Sequence, residues 1–505
     1  MTADSSPRSQ DAKDIQPPGV DPATNDDDGG GWTPRLFLAL FVIVMLGELV
    51  AFSYNLVATA LPGIGAKFEA DNLGWVITIP TLVSAVAMAF IGKLADLKGK
   101  RLVLIIISAL SAIGAVVSAM APTYEIFLLG RGLQGLMFIA PALGYSLIRD
   151  IFPKKLIAFA ATVTFTGFGA TFILAPLLAG WLIDNYGAVS IFWFVAIYLA
   201  VCLVGAVLFV PESPLRVKSK LDWVGALLLG AGGAFIIYGL GEANKWGWTS
   251  VTFLIFMVAG VACMVAWLKW DSRFSDPLIE IPLLKSRPVW TTVLVGGTIY
   301  ATAGIVSSIV PSMVQTPREI GGTYGFGTDA MGVAVYLVPL GTAMVVSGLL
   351  CGSMARRWGI RVPVRIGCIL LALGAGSLAL WHSESWHVAV ALVLFGAGMG
   401  ATYGGLPNLV IQAVPPEKQG ISAAIANVAQ NLGTSMLIQV VFGVLAGHLI
   451  VSSVGAFYTS DGYTIAYAIA AVCAVVSFLV TFLIPHGGAK GVRNVRTGGD
   501  VAAAH

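Results

Sequence analysis

Gly92-Lys-Leu-Ala-Asp-Leu-Lys-Gly-Lys-Arg101 is a polar decapeptide set between two long apolar runs, and its pattern returns later in the chain. Gly352-Ser-Met-Ala-Arg-Arg-Trp-Gly-Ile-Arg361 keeps the same Gly-x-x-Ala-x-x-x-Gly-x-Arg frame. Trp75–Leu94 and Leu102–Ala121 flank the first copy; Met331–Met354 and Val362–Trp381 flank the second. About 20 apolar residues is the length a helix needs to cross the hydrocarbon core. Matching loops in matching places predict a duplicated membrane protein with halves related by an axis along the membrane normal. Many secondary transporters are built this way, with the substrate site between the halves near mid-membrane.

Further apolar runs occupy the rest of the chain: Leu36–Leu61, Ile126–Ile148, Leu156–Ile183, Val189–Val210, Trp223–Gly241, Val251–Trp270, Val289–Met313, Val388–Val414, Ile425–Val451 and Tyr463–Ile484. With the four above, the expectation is an all-α polytopic membrane protein of about fourteen transmembrane helices. Charged residues make up 11% of the chain, under half the roughly 25% of a soluble domain. The runs do not alternate as barrel strands would, and only helices or closed barrels satisfy every backbone group in lipid. The expected divisions are a disordered cytoplasmic tail over 1–33, an amino-terminal six-helix bundle over 34–212, an inserted helix pair over 213–287, a carboxy-terminal six-helix bundle over 288–485 and a second tail over 486–505.

Orientation follows from the basic residues. Of 29 Lys and Arg, only Lys67, Lys245 and Arg318 fall in loops opposite the amino terminus, and Arg131 lies inside a span. All the others share the amino-terminal side, so both termini are expected in the cytoplasm of a cell (inner) membrane protein. The net charge of +3 is too small to argue for nucleic acid. The five cysteines lack the paired spacing of a zinc site. With no nucleophile constellation or phosphate loop, the reading includes no cofactor, no metal, no enzyme activity and no ATP-driven step.

These residues resemble the major facilitator superfamily, and within it the fourteen-helix drug:proton antiporters. Gly92 to Arg101 is similar to the signature between helices two and three. Arg131-Gly-Leu-Gln-Gly135 resembles the second motif, in helix four. Leu221-Asp222-Trp223 and Asp276-Pro-Leu278, before Leu283-Leu284, resemble the stretches around the extra helix pair. Val414-Pro-Pro-Glu-Lys-Gln-Gly420, with Asn427 and Leu432-Gly433, resembles the segment entering helix thirteen. The likeness runs from about Leu46 to Ile484 and implies the major facilitator fold, two six-helix bundles plus the inserted pair. Two departures stand out. Ser53 occupies the place of the first-helix Asp in Phe52-Ser-Tyr-Asn-Leu-Val-Ala-Thr-Ala-Leu-Pro62. The antiporter motif of helix five reads Ala175-Pro-Leu-Leu-Ala-Gly180, with Thr171 where another Gly is usual.

Glu48 is the one carboxylate deep inside an expected span. A mid-bilayer charge costs at least about 2.5 kcal/mol, so an acid there is functional by default. Burial disfavours the charged form of a carboxyl, which suits Glu48 to taking up and releasing a proton. Helical spacing puts Phe52, Asn55 and Thr59 on its face, as a candidate substrate-cavity stripe. The alternative is a neutral Glu bonded to a neighbouring helix for packing. Arg131 is the matching cation; it is expected level with Ser53, with Glu48 about 8 Å deeper, and reaching Glu48 directly, through water or through Gln134. A structural arginine held by carbonyls is the other reading.

Gly92, Asp96, Gly99 and Arg101 are, by resemblance, a gating latch at the cytoplasmic turn. Pro176 and Gly180 favour a kink and close contact, in gating or in plain packing. Tyr300, Tyr403, Asn408, Asn427 and Gln430 are the candidate cavity residues of the second half, and His448 is a packed histidine or a proton relay. The function expected is proton-coupled export of small amphipathic molecules or drugs by rocking of the bundles. A carrier for a specific metabolite is the alternative, and a membrane enzyme or sensor the remote one. The implied partners are a small-molecule substrate, protons and the lipid bilayer.

Overall fold

The computed structural model describes residues 32–70, 72–214, 222–274, 284–321, 324–413, 419–452 and 455–484. Its amino-terminal bundle comprises α1 (Pro34–Phe68), α2 (Gly74–Lys98), α3 (Lys100–Met120), α4 (Tyr124–Gln134), α5 (Ala140–Ile151), α6 (Lys154–Tyr186) and α7 (Ser190–Phe209). Two helices come next, α8 (Trp223–Trp246) and α9 (Val251–Asp271). The second bundle holds α10 (Arg287–Gln315), the single turn α11 (Arg318–Gly321), α12 (Ala334–Trp358), α13 (Arg361–Leu380), α14 (Ser385–Ala413), α15 (Gln419–Ala446) and α16 (Ser460–Thr481). The face where α1 begins is termed the near face, and the opposite one the far face.

Eleven of these segments are long and apolar enough to span a membrane, or twelve if the bent α2 counts as one span; shorter apolar stretches, Ala170–Tyr186 and Gln430–Ala446, lie in α6 and α15. The count is compatible with fourteen. Leu227, Val251, Val258, Leu349 and Val472 point outward and exposed, an apolar surface that water would not tolerate but lipid does.

Local chemistry sets the boundaries. Thr33 caps α1, its hydroxyl accepting from the Leu36 N–H with Pro34 at the first helical position. Gly99 alone joins α2 to α3 at φ 113°, a backbone shape that only glycine adopts without strain. The expected fourth span is interrupted, because Gly135–Ile139 tightens into a 3₁₀ turn between α4 and α5. Pro141 comes just after and supplies no N–H. At Gly135 a Cβ would lie 2.4 Å from the Pro80 carbonyl oxygen of α2. The span expected to run helical to Val451 ends at Ala446 instead. β1 (Leu449–Ser452) pairs antiparallel with β2 (Gly455–Tyr458), Leu449 opposite Tyr458; β-branched Ile450 and Val451 suit a strand.

Within the first bundle α1 packs on α6 and α7, and α3 on α4 and α7; within the second, α14 lies between α12 and α13, and α16 between α10 and α13. Among the described residues, three helix-to-helix seams join the bundles, α1 to α10, α2 to α15 and α6 to α12, and β2 also touches α1. α8 lies across the α2–α15 seam through its glycines. Cβ atoms there would come within 2.5 Å of Val86 at Gly230, 3.0 Å of Leu432 at Gly233, and 2.2 Å of Gln439 at Gly241. Trp75 Nε1 donates to Glu242 Oε1 (3.1 Å) and Asn72 Nδ2 to the Gly241 carbonyl (2.8 Å), fixing α8 at the far face. α9 packs on α8 and is otherwise largely exposed.

Candidate functional site

Polar side chains in the far half of the molecule close the seams between the bundles. Tyr54 donates from α1 to the Gly304 carbonyl (3.0 Å) and shares a hydrogen bond with Ser308 (2.7 Å), both on α10. Gln315 Nε2 donates to the Thr59 carbonyl at 3.0 Å. Between α2 and α15, Thr78 donates to Gln439 Oε1 (2.8 Å) and Ser435 to Thr81 (2.7 Å). At the third seam the Asp184 carboxylate accepts from the Ala330 and Met331 N–H groups, at 3.1 and 2.9 Å. Beside it a Cβ on Gly180 would fall 2.4 Å from Met331 Cα. These hydrogen bonds between the bundles all belong to the far half.

Glu48 is buried, 5% exposed, and its Oε2 accepts from the Thr171 hydroxyl of α6 at 3.1 Å. Its Oε1 has no partner among the described residues. The stripe below it divides. Phe52 turns toward α7, its ring 6.0 Å from that of Phe194. Asn55 Nδ2 donates to the Ala51 carbonyl (2.9 Å) and Thr59 Oγ1 to the Asn55 carbonyl (3.1 Å), both within α1. The side chain of α1 that reaches the other bundle is Tyr54, which sequence reasoning missed. Its direction, about 120° off the Glu48 stripe at 100° per residue, marks which face of α1 meets α10.

Arg131 is 2% exposed and sits in a polar knot. Its Nε donates to the Val76 carbonyl (3.0 Å), its Nη1 to Gln134 Oε1 (2.7 Å), and its guanidinium lies 5.7 Å over the Phe192 ring. Gln134 Nε2 in turn donates to Ser118 (3.0 Å) and the Gly114 carbonyl (3.3 Å). Arg131 and Glu48 are held by different neighbours, and among the described residues neither a direct contact nor one through Gln134 joins them. Ser53 and Gln134 line one small void with Leu49, Val50, Met137, Phe138, Val195 and Leu199.

In the second bundle the rings of Tyr300 and Tyr403 lie with centres 4.9 Å apart, tilted by 45°. Gln430 is buried against Gly296, where a Cβ would lie 2.0 Å from its Nε2. His448 Nδ1 lies 2.9 Å from the Val444 carbonyl of its own turn. The side chains of Asn408 and Asn427 lie outside the described residues.

At the near face the decapeptide is wired to residues that its motif does not include. Lys100 is buried, its Nζ 2.5 Å from Asp150 Oδ2 and 3.8 Å from Asp96 Oδ1. Ser213 donates to the same Asp150 oxygen (2.6 Å). Glu212 caps α3, accepting from the Arg101 and Leu102 N–H groups, and sits so close that a Cβ on Gly99 would be 2.8 Å from its carboxylate. Arg101 donates to the Ala206 and Val207 carbonyls at the end of α7. Among the described residues, and apart from the backbone of its own helix, nothing lies within 4 Å of where a Cβ on Gly92 would stand. Asp150, Glu212 and Ser213 lie outside that motif and carried only a weak signal, as single polar residues near the ends of apolar runs.

Asp150→Ala is expected to destabilise the protein by about 3–5 kcal/mol, because it leaves the Lys100 ammonium buried with its main partner gone. A melt in detergent should show this as a lower midpoint. Lys100→Met with Asp150→Leu should recover most of the loss, since an apolar pair of similar volume carries no desolvation cost.

The sequence pattern of the family described as Major Facilitator Superfamily matches residues 43–225 and 221–438. The multidrug resistance protein Stp of Mycobacterium tuberculosis (strain ATCC 25618 / H37Rv) is 27% identical over 425 residues, 82% of this chain and 77% of that one. The tetracenomycin C resistance and export protein of Streptomyces glaucescens is 25% identical over 81% of this chain and 74% of its own. Among solved structures, the fold is similar to a D-xylose-proton symporter, with TM-score 0.65 and 15% identity over 90% of this chain and 99% of the other.

Proposed function

Because this chain belongs to the major facilitator superfamily, we propose that it is a secondary active transporter, exporting small amphipathic molecules in exchange for protons by alternating access. The observation that carries the reading is the far-half seam. Two bundles of like design meet there through a few hydrogen bonds and glycine contacts, the kind of joint that can break and re-form as rigid bodies rock. Likeness to proteins named for multidrug resistance and for tetracenomycin C export favours export of drug-like solutes. The asymmetry of Lys and Arg favours a cell membrane with both termini in the cytoplasm, which makes the near face cytoplasmic.

Glu48 is the coupling acid in this reading. It is buried in α1 beside a hydroxyl donor and has one oxygen without a partner among the described residues. Asp96, Gly99 and Arg101, braced by Lys100, Asp150 and Glu212, form the latch at the cytoplasmic turn. Pro176 removes a backbone hydrogen bond from α6, and Gly180 gives it its close approach to the second bundle. Tyr54, Tyr300, Tyr403 and Gln430 supply aromatic and hydrogen-bonding groups for the solute.

The test is proton release from inverted vesicles on addition of lipophilic cations and neutral drugs, wild type beside Glu48→Gln. Release by the wild type that disappears in the mutant is expected. Retained pH-driven flux in Glu48→Gln would remove Glu48 from the coupling, and a folded wild type silent to every drug would favour a dedicated metabolite carrier.

A further inference from the structure

We infer that Thr171 passes the charge state of Glu48 to the joint between the bundles and so holds the empty, ionised carrier shut, an assignment that rests on Glu48 as the coupling acid. The hydroxyl of Thr171 donates to Glu48 Oε2 across 3.1 Å, with both residues buried. A hydrogen bond to an ionised acceptor is roughly twice as strong as one between neutral groups. α6 is thus tied most firmly to α1 when Glu48 carries its charge. Tyr198 of α7 is also within electrostatic reach of Glu48, but its hydroxyl is donated to the Met45 carbonyl at 2.9 Å.

The next turns of α6 make the tie consequential. Phe172 and Ile173 meet α12 at Gly341, where a Cβ would lie 3.0 Å from the Phe172 carbonyl carbon. Pro176 has no N–H to offer that carbonyl, so the helix is weakest there. Gly180 then lies against Met331, and Asp184 accepts from the Ala330 and Met331 N–H groups. Within one stretch, Thr171 to Asp184, lie the contact to the acid, the proline and the joint with the second bundle. Neutralising Glu48 by a proton, or displacing it from Thr171 by a bound solute, slackens the tie and lets α6 move against α12. An exchanger needs this behaviour, because a carrier that crosses empty and unprotonated dissipates the gradient.

The experiment places spin labels at Tyr186→Cys and Val335→Cys, both exposed positions, in full-length protein in nanodiscs with the five native cysteines replaced by alanine. Without substrate at neutral pH, a short distance should dominate. Thr171→Val, which keeps the shape and loses the hydroxyl, should raise the long-distance population roughly tenfold. Glu48→Gln should raise it as well, and the double mutant should not exceed the larger single effect. Thr171→Ser should behave as wild type. A Thr171→Val distribution matching wild type, or a Thr171→Ser distribution matching Thr171→Val, overturns the assignment. Distances that behave as expected in a protein that releases no protons on drug addition support the tie and overturn proton-coupled export.

Discussion

Gly180→Leu is expected to abolish transport in a protein that still inserts and folds. At Gly180 the backbones of the two bundles touch, so that even a Cβ would lie 2.4 Å from Met331 Cα and 2.8 Å from its nitrogen. Overpacking a rigid contact costs about 1–3 kcal/mol, and every 1.4 kcal/mol is a factor of about ten in an equilibrium. The closed far half should therefore fall in population by about five- to a hundredfold, and the transport cycle with it. Gly180→Ala should give a smaller loss. The obstruction is backbone, so trimming Met331 to Ala should not rescue the leucine variant. Vesicle flux with surface-expression controls measures all three, and a fully active Gly180→Leu would mean that this approach is not needed in the cycle.

The second large effect concerns Arg131. Arg131→Met removes the donor to the Val76 carbonyl and to Gln134 inside a buried knot that ties α2, α3 and α4 together. Each acceptor left unpaired costs about 1–3 kcal/mol, so the variant should melt well below wild type besides losing transport. Arg131→Lys keeps the charge but not the fork of donors, and should recover only part. A melt unchanged in Arg131→Met, with transport lost, would show that the arginine acts on protons or solute and not on the bundle.

The sequence was legible where physics repeats itself. Runs of about 20 apolar residues, the returning glycine-bounded turn and the lopsided placement of Lys and Arg have causes that act residue by residue. The site was harder to read, because its partners come from distant elements. Glu48 stood out as a buried acid, yet nothing in the local pattern said that Thr171, 123 positions away, would donate to it. Arg131 and Glu48 invited pairing by charge, whereas the arginine is satisfied by a carbonyl and an amide closer at hand. Tyr54 was passed over because the stripe was drawn from Glu48, and the face that meets the other bundle is turned away from it. The break at Gly135 was hidden in continuous hydropathy, since it is Pro80 of another helix that crowds the chain there.

The position of α8 bears on how a solute could arrive. A lipophilic molecule dissolved in the bilayer need not come through water; it can slip sideways between helices wherever two bundles part. Along α2 and α15 that doorway is shuttered, because α8 lies over it with its glycines seated on Val86, Leu432 and Gln439. The α6–α12 side has no such cover among the described residues. A solute entering from the lipid would on this packing be expected at the other flank, the one on which Thr171, Pro176 and Gly180 stand.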